Sequence, residues 1–112
     1  MPFSAGIKAN GFIFTAGQVG VDPTTNTLAG PDVGSQTRQT IENLKAILEA
    51  GGSGLDRMVK TTVFLADMRL FEAMNAVYRE MVPEPRPSRS TVEARLARPE
   101  LLVEIEAIAL AD

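Results

Sequence analysis

The segment that most restricts the possible folds is residues 101–109, LLVEIEAIA. Its odd-numbered residues are all apolar, whereas its even-numbered residues include two glutamates. Alternate residues of a strand share a face, so Glu104 and Glu106 are predicted to point the same way, beside two large apolar residues. Carboxylates on an otherwise apolar face are costly to bury unless a cation or a hydrogen-bond donor meets them. The pattern therefore predicts a strand with one purely apolar face, and Arg89 is the candidate partner for the carboxylates of the other face.

A second alternating segment, residues 89–96, precedes it and begins with that arginine. It is predicted to be a strand, and a proline separates it from the C-terminal one. Three prolines within residues 83–87 stiffen the loop ahead of it, which places Arg89 at the mouth of the strand. There the guanidinium could bind a substrate carboxylate through two hydrogen bonds. The alternative is a structural salt bridge with Glu93 or Glu104.

The first 30 residues predict a β-hairpin followed by an irregular connection. Residues 3–9 and 12–17 flank Asn10-Gly11, a dipeptide that favours a two-residue turn because both positions tolerate positive φ. Residues 18–30 contain Gly, Pro, Asp, Asn and Thr without periodicity, so we expect a loop that turns at Asp22-Pro23.

Two helices and a further strand are predicted in the middle of the chain. A helix begins after Asp32, an N-cap residue, and ends at the glycine pair 51–52. Residues 57–66 are alternating and β-branched, which predicts a strand. Asp67 then caps a second helix that ends near Met81. The apolar positions of this second helix are predicted to be Met68, Phe71, Met74 and Tyr78.

The predicted order of elements, β-β-α-β-α-β-β, defines an α+β fold in one domain over residues 1–112. Its two strand-helix-strand crossovers imply a mixed sheet with both helices on one face. The strand at 57–66 is predicted to be apolar on both faces, with Val59, Val63 and Leu65 on one and Met58 and Phe64 on the other. Because two helices cover only one face, we expect the second face to pack against another copy of the chain.

The composition restricts the chemistry that this chain can perform. It contains no histidine and no cysteine, which excludes Ser-His-Asp and Cys-His mechanisms and the usual zinc ligands. A net charge of −3 is unfavourable for binding nucleic acid. We also expect a cytoplasmic protein without a membrane span, since no leader segment or long apolar run is found.

Six segments carry a resemblance to a known family: NGFIFTAGQ, TRQTIENLKAILEAGG, VKTTVFLADM, MNAVY, RSTVE and VEIEAIA. In this order, and over nearly the whole chain, they resemble the RidA/YjgF family of small imine deaminases, which also carries the label endoribonuclease L-PSP. The resemblance implies a chorismate-mutase-like fold and a homotrimer with active sites in the clefts between subunits. It also implies a small carboxylate-bearing imine or enamine substrate, and neither a cofactor nor a metal.

The resemblance assigns catalytic roles to Arg89 and Glu104. It implies that Arg89, the arginine of RSTVE, binds the substrate carboxylate, and that Glu104 holds the attacking water. Partial burial of a glutamate here would raise its pKa into a useful range. From the residues alone, Glu104 and Glu106 could instead form ion pairs across a subunit interface, and either could be the one that acts.

Four further residues are implied to contact the substrate. The backbones of Gly17 and Thr91 are implied to approach it, and Asn75 of MNAVY is implied to lie near the cleft. Phe3 stands where the family commonly has a tyrosine, so its ring can line the pocket although the hydroxyl is lost. Without the family, Gly17 would be a turn glycine, Thr91 an ordinary strand residue and Asn75 a helix-surface amide.

Three functions follow from these observations, in order of preference. The first is cofactor-free hydrolysis of reactive 2-enamino or 2-imino acids to 2-oxo acids and ammonia, as in a 2-iminobutanoate/2-iminopropanoate deaminase. The second is a trimeric protein that binds small carboxylates, or acts like a chaperone, without turnover. The third is an endoribonuclease, which the acidic charge and the lack of histidine make less favourable.

Overall fold

A mixed sheet covered on one face by two helices forms this protein, whose computed structural model describes residues 2–112. The elements are β1 Gly6–Ala9, β2 Phe12–Thr15, β3 Gln18–Val19, β4 Val21–Asp22, β5 Thr27–Leu28, α1 Val33–Ala50, β6 Met58–Leu65, α2 Phe71–Met81, β7 Ser88–Glu93 and β8 Val103–Leu110. The sheet order is β1-β2-β8-β6-β7, and β3 also pairs with β8. Strands β6 and β7 are parallel, whereas the other neighbours are antiparallel. The predicted α+β class, with two helices and a mixed sheet, is therefore confirmed.

The predicted hairpin is formed by β1 and β2. Asn10 and Gly11 connect the strands with φ values of 54° and 82°, in the left-handed region that a two-residue turn of this kind requires. Ala9 pairs with Phe12 directly across the turn.

The connection over residues 18–30 is more regular than predicted. Its first part is β3, which pairs with β8, and its second part is the small two-stranded sheet of β4 and β5. The side-chain amide of Asn43 on α1 donates to the carbonyls of Val19 and Val21, both at 3.0 Å. The prediction of a loop was wrong because these hydrogen-bond partners lie far away in the sequence. The turn at Asp22-Pro23 is confirmed, and Asp22 Oδ1 accepts a hydrogen bond from the Thr24 N–H at 2.9 Å.

Both predicted capping residues accept a hydrogen bond, but only α1 begins directly after its cap, since α2 begins at Phe71. The carboxylate of Asp32 accepts from the Ser35 N–H at 2.9 Å, and Asp67 accepts from the Arg69 N–H at 2.8 Å. The second helix, however, opens with a 3₁₀ turn over Met68–Leu70. Met68 was predicted to face the core, but it is 40% exposed because the 3₁₀ turn has a different periodicity from the α-helix.

A β-bulge in β6 changes which of its side chains share a face. Met58 lies opposite Ala109, yet Lys60 lies opposite Ile108, so the register shifts at Val59. Met58 is consequently buried together with Val63, whereas Val59 is exposed, the reverse of the predicted arrangement. A strict two-residue alternation cannot reveal an inserted residue.

Strand β7 lies at the edge of the sheet and ends at Glu93, not at residue 96 as the alternation predicted. Among the described residues β7 has one neighbour in the sheet, β6, which ends at Leu65. The N–H of Ala94 donates to the Leu65 carbonyl at 2.8 Å, and no partner strand continues beyond that point. The chain then leaves the sheet and returns as β8.

The two faces of the sheet differ in cover. The inner face packs against both helices, and its core includes Val63, Leu65 and Ile105 from the sheet with Leu44 and Met74 from the helices. No element within residues 2–112 covers the outer face, which carries Phe64, Glu104 and Glu106 together with four large exposed apolar residues. These are Ile7, Phe14, Val92 and Leu110. Neither helix of the described residues is long and apolar enough to cross a membrane.

Candidate active site

Arg89 lies on the inner side of the sheet, between the edge strand β7 and helix α2. It pairs in register with Thr61, an inner-face residue of β6. Its guanidinium donates to Asn75 Oδ1 at 2.7 Å, and its central carbon lies 4.7 Å from the centre of the Tyr78 ring and 5.5 Å from that of Phe71. Two aromatic rings and one amide therefore fix the orientation of this cation.

Helix periodicity explains why these three partners meet the arginine together. Phe71, Asn75 and Tyr78 are spaced by four and three residues, which places them on one face of α2. The Tyr78 hydroxyl shares a 2.7 Å hydrogen bond with Thr61 Oγ1, which anchors the ring to the sheet. Burial raises the pKa of the Tyr78 phenol, against the smaller opposing effects of the Thr61 hydrogen bond and the Arg89 charge. The phenol is therefore protonated at neutral pH.

No carboxylate within residues 2–112 forms an ion pair with Arg89. Glu93 instead accepts from the Met68 N–H at 2.7 Å, and Glu104 points to the outer face. The alternative of a structural salt bridge between Arg89 and either glutamate is thus wrong for a single chain. An arginine has five N–H donors, and the one acceptor found here leaves capacity for a bidentate carboxylate.

Glu104 lies in β8 opposite Phe64, half-buried on the outer face and next to Gly17. A Cβ atom at position 17 would lie 2.8 Å from Glu104 Cδ and would overlap Oε2. Only glycine therefore lets the carboxylate rest where it does. Burial raises the pKa of Glu104, and the negative charge of Glu106 raises it further. A carboxyl group of this kind is suited to proton transfer.

Thr91 follows Arg89 in strand β7, and Phe3 lies in the segment that contacts the chain beside Gly17. Because Ala94 directs its N–H to β6, the strand alternation directs the N–H and C=O of Thr91 to the open edge of the sheet. Phe3 is 55% exposed and precedes Ala5, whose carbonyl accepts from the N–H of Ala16, beside Gly17. Both residues can thus present groups to a ligand.

The structure brings the sequence-predicted residues together in two groups. Asn75 is with Arg89 on the inner side, and Gly17 is with Glu104 on the outer face. The sheet separates Arg89 from Glu104 within one chain. Sequence reasoning missed Phe71 and Tyr78 as contacts of Arg89, although their helical spacing with Asn75 was visible.

A small cavity of about 200 Å³ opens beside Arg89. Arg79 and Arg86 line it as well, and Arg86 donates to the Arg79 carbonyl at 3.1 Å. A larger cavity of about 740 Å³ is lined by Ala66 and by residues of the segment 93–101. It includes neither Arg89 nor Glu104, so we place the candidate site at the smaller one.

The fold and the site define a class of small α+β proteins that present an unpaired arginine at a sheet edge and a carboxyl group with a raised pKa on the opposite face. The family model described as Endoribonuclease L-PSP matches residues 1–111. A RutC family protein of Pyrococcus horikoshii is 48% identical over 108 residues, covering 96% of this chain and 86% of that protein. The chain therefore belongs to the RidA/YjgF family, as its sequence motifs indicated.

Two further relatives are informative. The 2-iminobutanoate/2-iminopropanoate deaminase of Salmonella typhimurium is 41% identical over 112 residues, covering 97% of this chain and 87% of that protein. The crystal structure of E. coli TdcF with bound serine matches with a TM-score of 0.92 at 34% identity, covering 100% of this chain and 90% of that one. The family thus includes an imine deaminase and a protein that binds an amino acid.

Proposed function

We propose that this protein hydrolyses 2-imino and 2-enamino acids to 2-oxo acids and ammonia, without a cofactor. The observation that carries the proposal is Arg89, a cation held by aromatic rings and an amide, with no carboxylate of the described residues paired to it. Such a group is prepared to bind a small carboxylate. The deaminase and the serine-binding structure among the relatives support the same class of ligand.

The chemistry requires one water molecule and one proton relay. Arg89 binds the carboxylate of the imino acid, and Glu104 accepts a proton from the water as its oxygen attacks the imine carbon. Glu104 returns that proton to the nitrogen and then transfers the hydroxyl proton of the tetrahedral adduct to it, so that the C–N bond breaks and the 2-oxo acid and ammonia leave. Imines hydrolyse unaided, so positioning and this relay suffice. Backbone groups near Gly17 and Thr91 orient the nitrogen.

A complete site of this kind needs more than one copy of the chain, because the sheet separates Arg89 from Glu104. We propose a homotrimer in which the Glu104 group of one subunit faces the Arg89 group of the next. The uncovered outer face supports this assembly, since its exposed apolar residues would otherwise remain in water.

Phe14→Asp is expected to dissociate the trimer while each chain stays folded. Phe14 is 44% exposed in a single chain, so a carboxylate there disturbs little of the chain's own core. In an interface, the same charge would be buried without a partner, at a cost of several kcal/mol. Light scattering at micromolar concentration measures the mass. Met68→Asp, at a similarly exposed apolar residue outside the sheet, is the control and should remain trimeric. A monomeric wild-type protein would contradict the assembly.

Gly17→Ala is expected to lower turnover by about tenfold to a hundredfold with little loss of stability, because misplacing a catalytic group by about 1 Å costs that much. The added methyl group would displace the Glu104 carboxylate, which is the mobile end of its side chain. Gly34→Ala is the control, because a Cβ atom there meets only ordinary or slightly close contacts. Gly11→Ala would not serve as a control, because the positive φ of Gly11 would strain any other residue. Equal turnover in Gly17→Ala and wild type would argue against Glu104 as the acting group.

The direct test generates 2-iminopropanoate in place with an amino-acid oxidase and alanine, in the presence of semicarbazide as a competing trap. A deaminase diverts the imine to pyruvate and lowers semicarbazone formation in proportion to its concentration.

The second candidate function is binding of small carboxylates without turnover, which the Arg89 group could perform alone. In that case pyruvate formation would not respond to the protein, although carboxylates would still bind. The endoribonuclease activity ranks third, and a cytoplasmic location stays a prediction.

A further inference from the structure

We propose that Arg79 and Arg86 form a second anion-binding subsite beside Arg89, which makes this protein prefer imino acids with a second carboxylate in the side chain. The inference rests on the proposed function, because Arg89 binds the first carboxylate of the substrate and also lines the cavity of the second subsite. It names the substrate class: 2-imino dicarboxylic acids.

The cavity beside Arg89 has the charge that such a ligand requires. Three arginines line it, together with Asn75, Tyr78 and Pro87, and among residues 2–112 no carboxylate does. Like charges that line one small cavity repel one another, and a bound anion relieves that repulsion. The Tyr78 ring and the proline supply an apolar wall for the carbon chain of a ligand. The cavity is therefore suited to a small molecule with negative charge at both ends.

Arg86 is fixed in this cavity by the end of helix α2. It donates to the carbonyls of Arg79 and Val82 at 3.1 and 3.3 Å. These carbonyls carry the partial negative charge of the helix C terminus, which would otherwise disfavour an anion there. Its one carboxylate partner, Glu84 at 3.2 Å, is largely exposed and is therefore weakly bound. Arg86 thus offsets the helix end and still contributes positive charge.

Arg79 supplies the mobile cation of the subsite. Its side chain is exposed, and no carboxylate within residues 2–112 pairs with it. It lies one helical turn after Asn75, the residue that holds Arg89. A ligand carboxylate on Arg89 therefore leaves its other end within the region that Arg79 lines.

The second carboxylate takes no part in the reaction. Water adds to the imine carbon, the C–N bond breaks, and a 2-oxo dicarboxylic acid and ammonia leave. The expected gain is in binding, and the stable products can measure it. The matched probes are 2-oxoglutarate and 2-oxopentanoate, which share a five-carbon chain and differ in the second carboxylate.

Isothermal titration calorimetry of the whole protein with both 2-oxo acids tests the subsite. The wild type is expected to bind 2-oxoglutarate about tenfold more tightly than 2-oxopentanoate, the gain of one charge-assisted contact. In Arg79→Gln the ratio of the two affinities should fall below the wild-type value, and in the double variant Arg79→Gln/Arg86→Gln it should fall to about one. Arg95→Gln removes the same charge from an exposed residue outside this cavity and should keep the wild-type ratio.

Two results would overturn the inference: equal affinities in the wild type, or a preference that survives in the double variant Arg79→Gln/Arg86→Gln. If 2-oxopentanoate binds and imines are hydrolysed without a preference, only the subsite is wrong. If neither 2-oxo acid binds and no imine is hydrolysed, the proposed function fails, and the subsite fails with it.

Discussion

Replacing Arg89 with alanine is expected to lower kcat/KM for imino acids by about a hundredfold, or ~3 kcal/mol, the value of a charge-assisted bidentate contact in a partly desolvated site. The same change should weaken binding of 2-oxo acids to a similar degree. The trap assay measures the first effect and calorimetry the second. The structure favours a functional role for Arg89, since no carboxylate in the part of the chain that the structure describes pairs with it.

Arg89→Lys should rescue little of this loss. An ammonium cannot reproduce the planar fork, and it would lose the stacking on Tyr78 and Phe71. Arg95→Ala, at an exposed arginine elsewhere, serves as the control. The oligomeric mass and melting temperature of each variant must be measured on the same preparation, because stacking against α2 also contributes to packing. A trimeric Arg89→Ala protein with wild-type turnover would overturn the deaminase proposal.

Most of the fold was predictable because its signals are local. The Asn10-Gly11 turn and the caps at Asp32 and Asp67 act within a few residues of themselves. The errors arose where a distant partner decides the structure. Strand β3 exists because β8 pairs with it, and the bulge at Val59 is defined only by the register of β6 against β8. In both cases the partner strand β8 lies far along the sequence, so a short stretch of sequence does not reveal the pairing.

The candidate site was likewise predictable from local signals only in part. Arg89 and Glu104 were found from an alternating pattern and a family motif, which identify residues but not the face that each one occupies relative to the other. Their separation by the sheet follows from the pairing of β7 with β6 and of β6 with β8. The contact between Gly17 and Glu104 likewise depends on β3, which the sequence did not predict.

Glu104→Gln is expected to reduce turnover by about a hundredfold, the usual effect of losing one general acid-base group. Binding of 2-oxo acids should change little, because Arg89 holds the carboxylate. The pKa of Glu104 is raised above its ordinary value of 4.5 by burial and then by the charge of Glu106. If the ionised form accepts the proton, kcat/KM of the wild type should fall as the pH drops through this raised pKa. That acidic limb should be absent in Glu104→Gln.

Glu106→Gln separates the two carboxylates. Removing its negative charge should move the acidic limb to lower pH while turnover at neutral pH stays within about threefold of the wild type, since an exposed neighbour contributes little else. A larger loss in Glu106→Gln than in Glu104→Gln would exchange their roles.

Stability provides the control for the Glu104 variant. Because the pKa of Glu104 is higher in the folded chain than in the unfolded one, its protonation favours folding, and this contribution is lost as the pH rises above 4.5 through the folded pKa. Glutamine resembles the protonated form, so Glu104→Gln should melt no lower than the wild type at neutral pH. A loss of turnover in a protein of undiminished melting temperature would then belong to the chemistry of Glu104 and not to its packing. A lower melting temperature would instead indicate that the charged carboxylate pairs with a cation, as an interface ion pair between subunits would require.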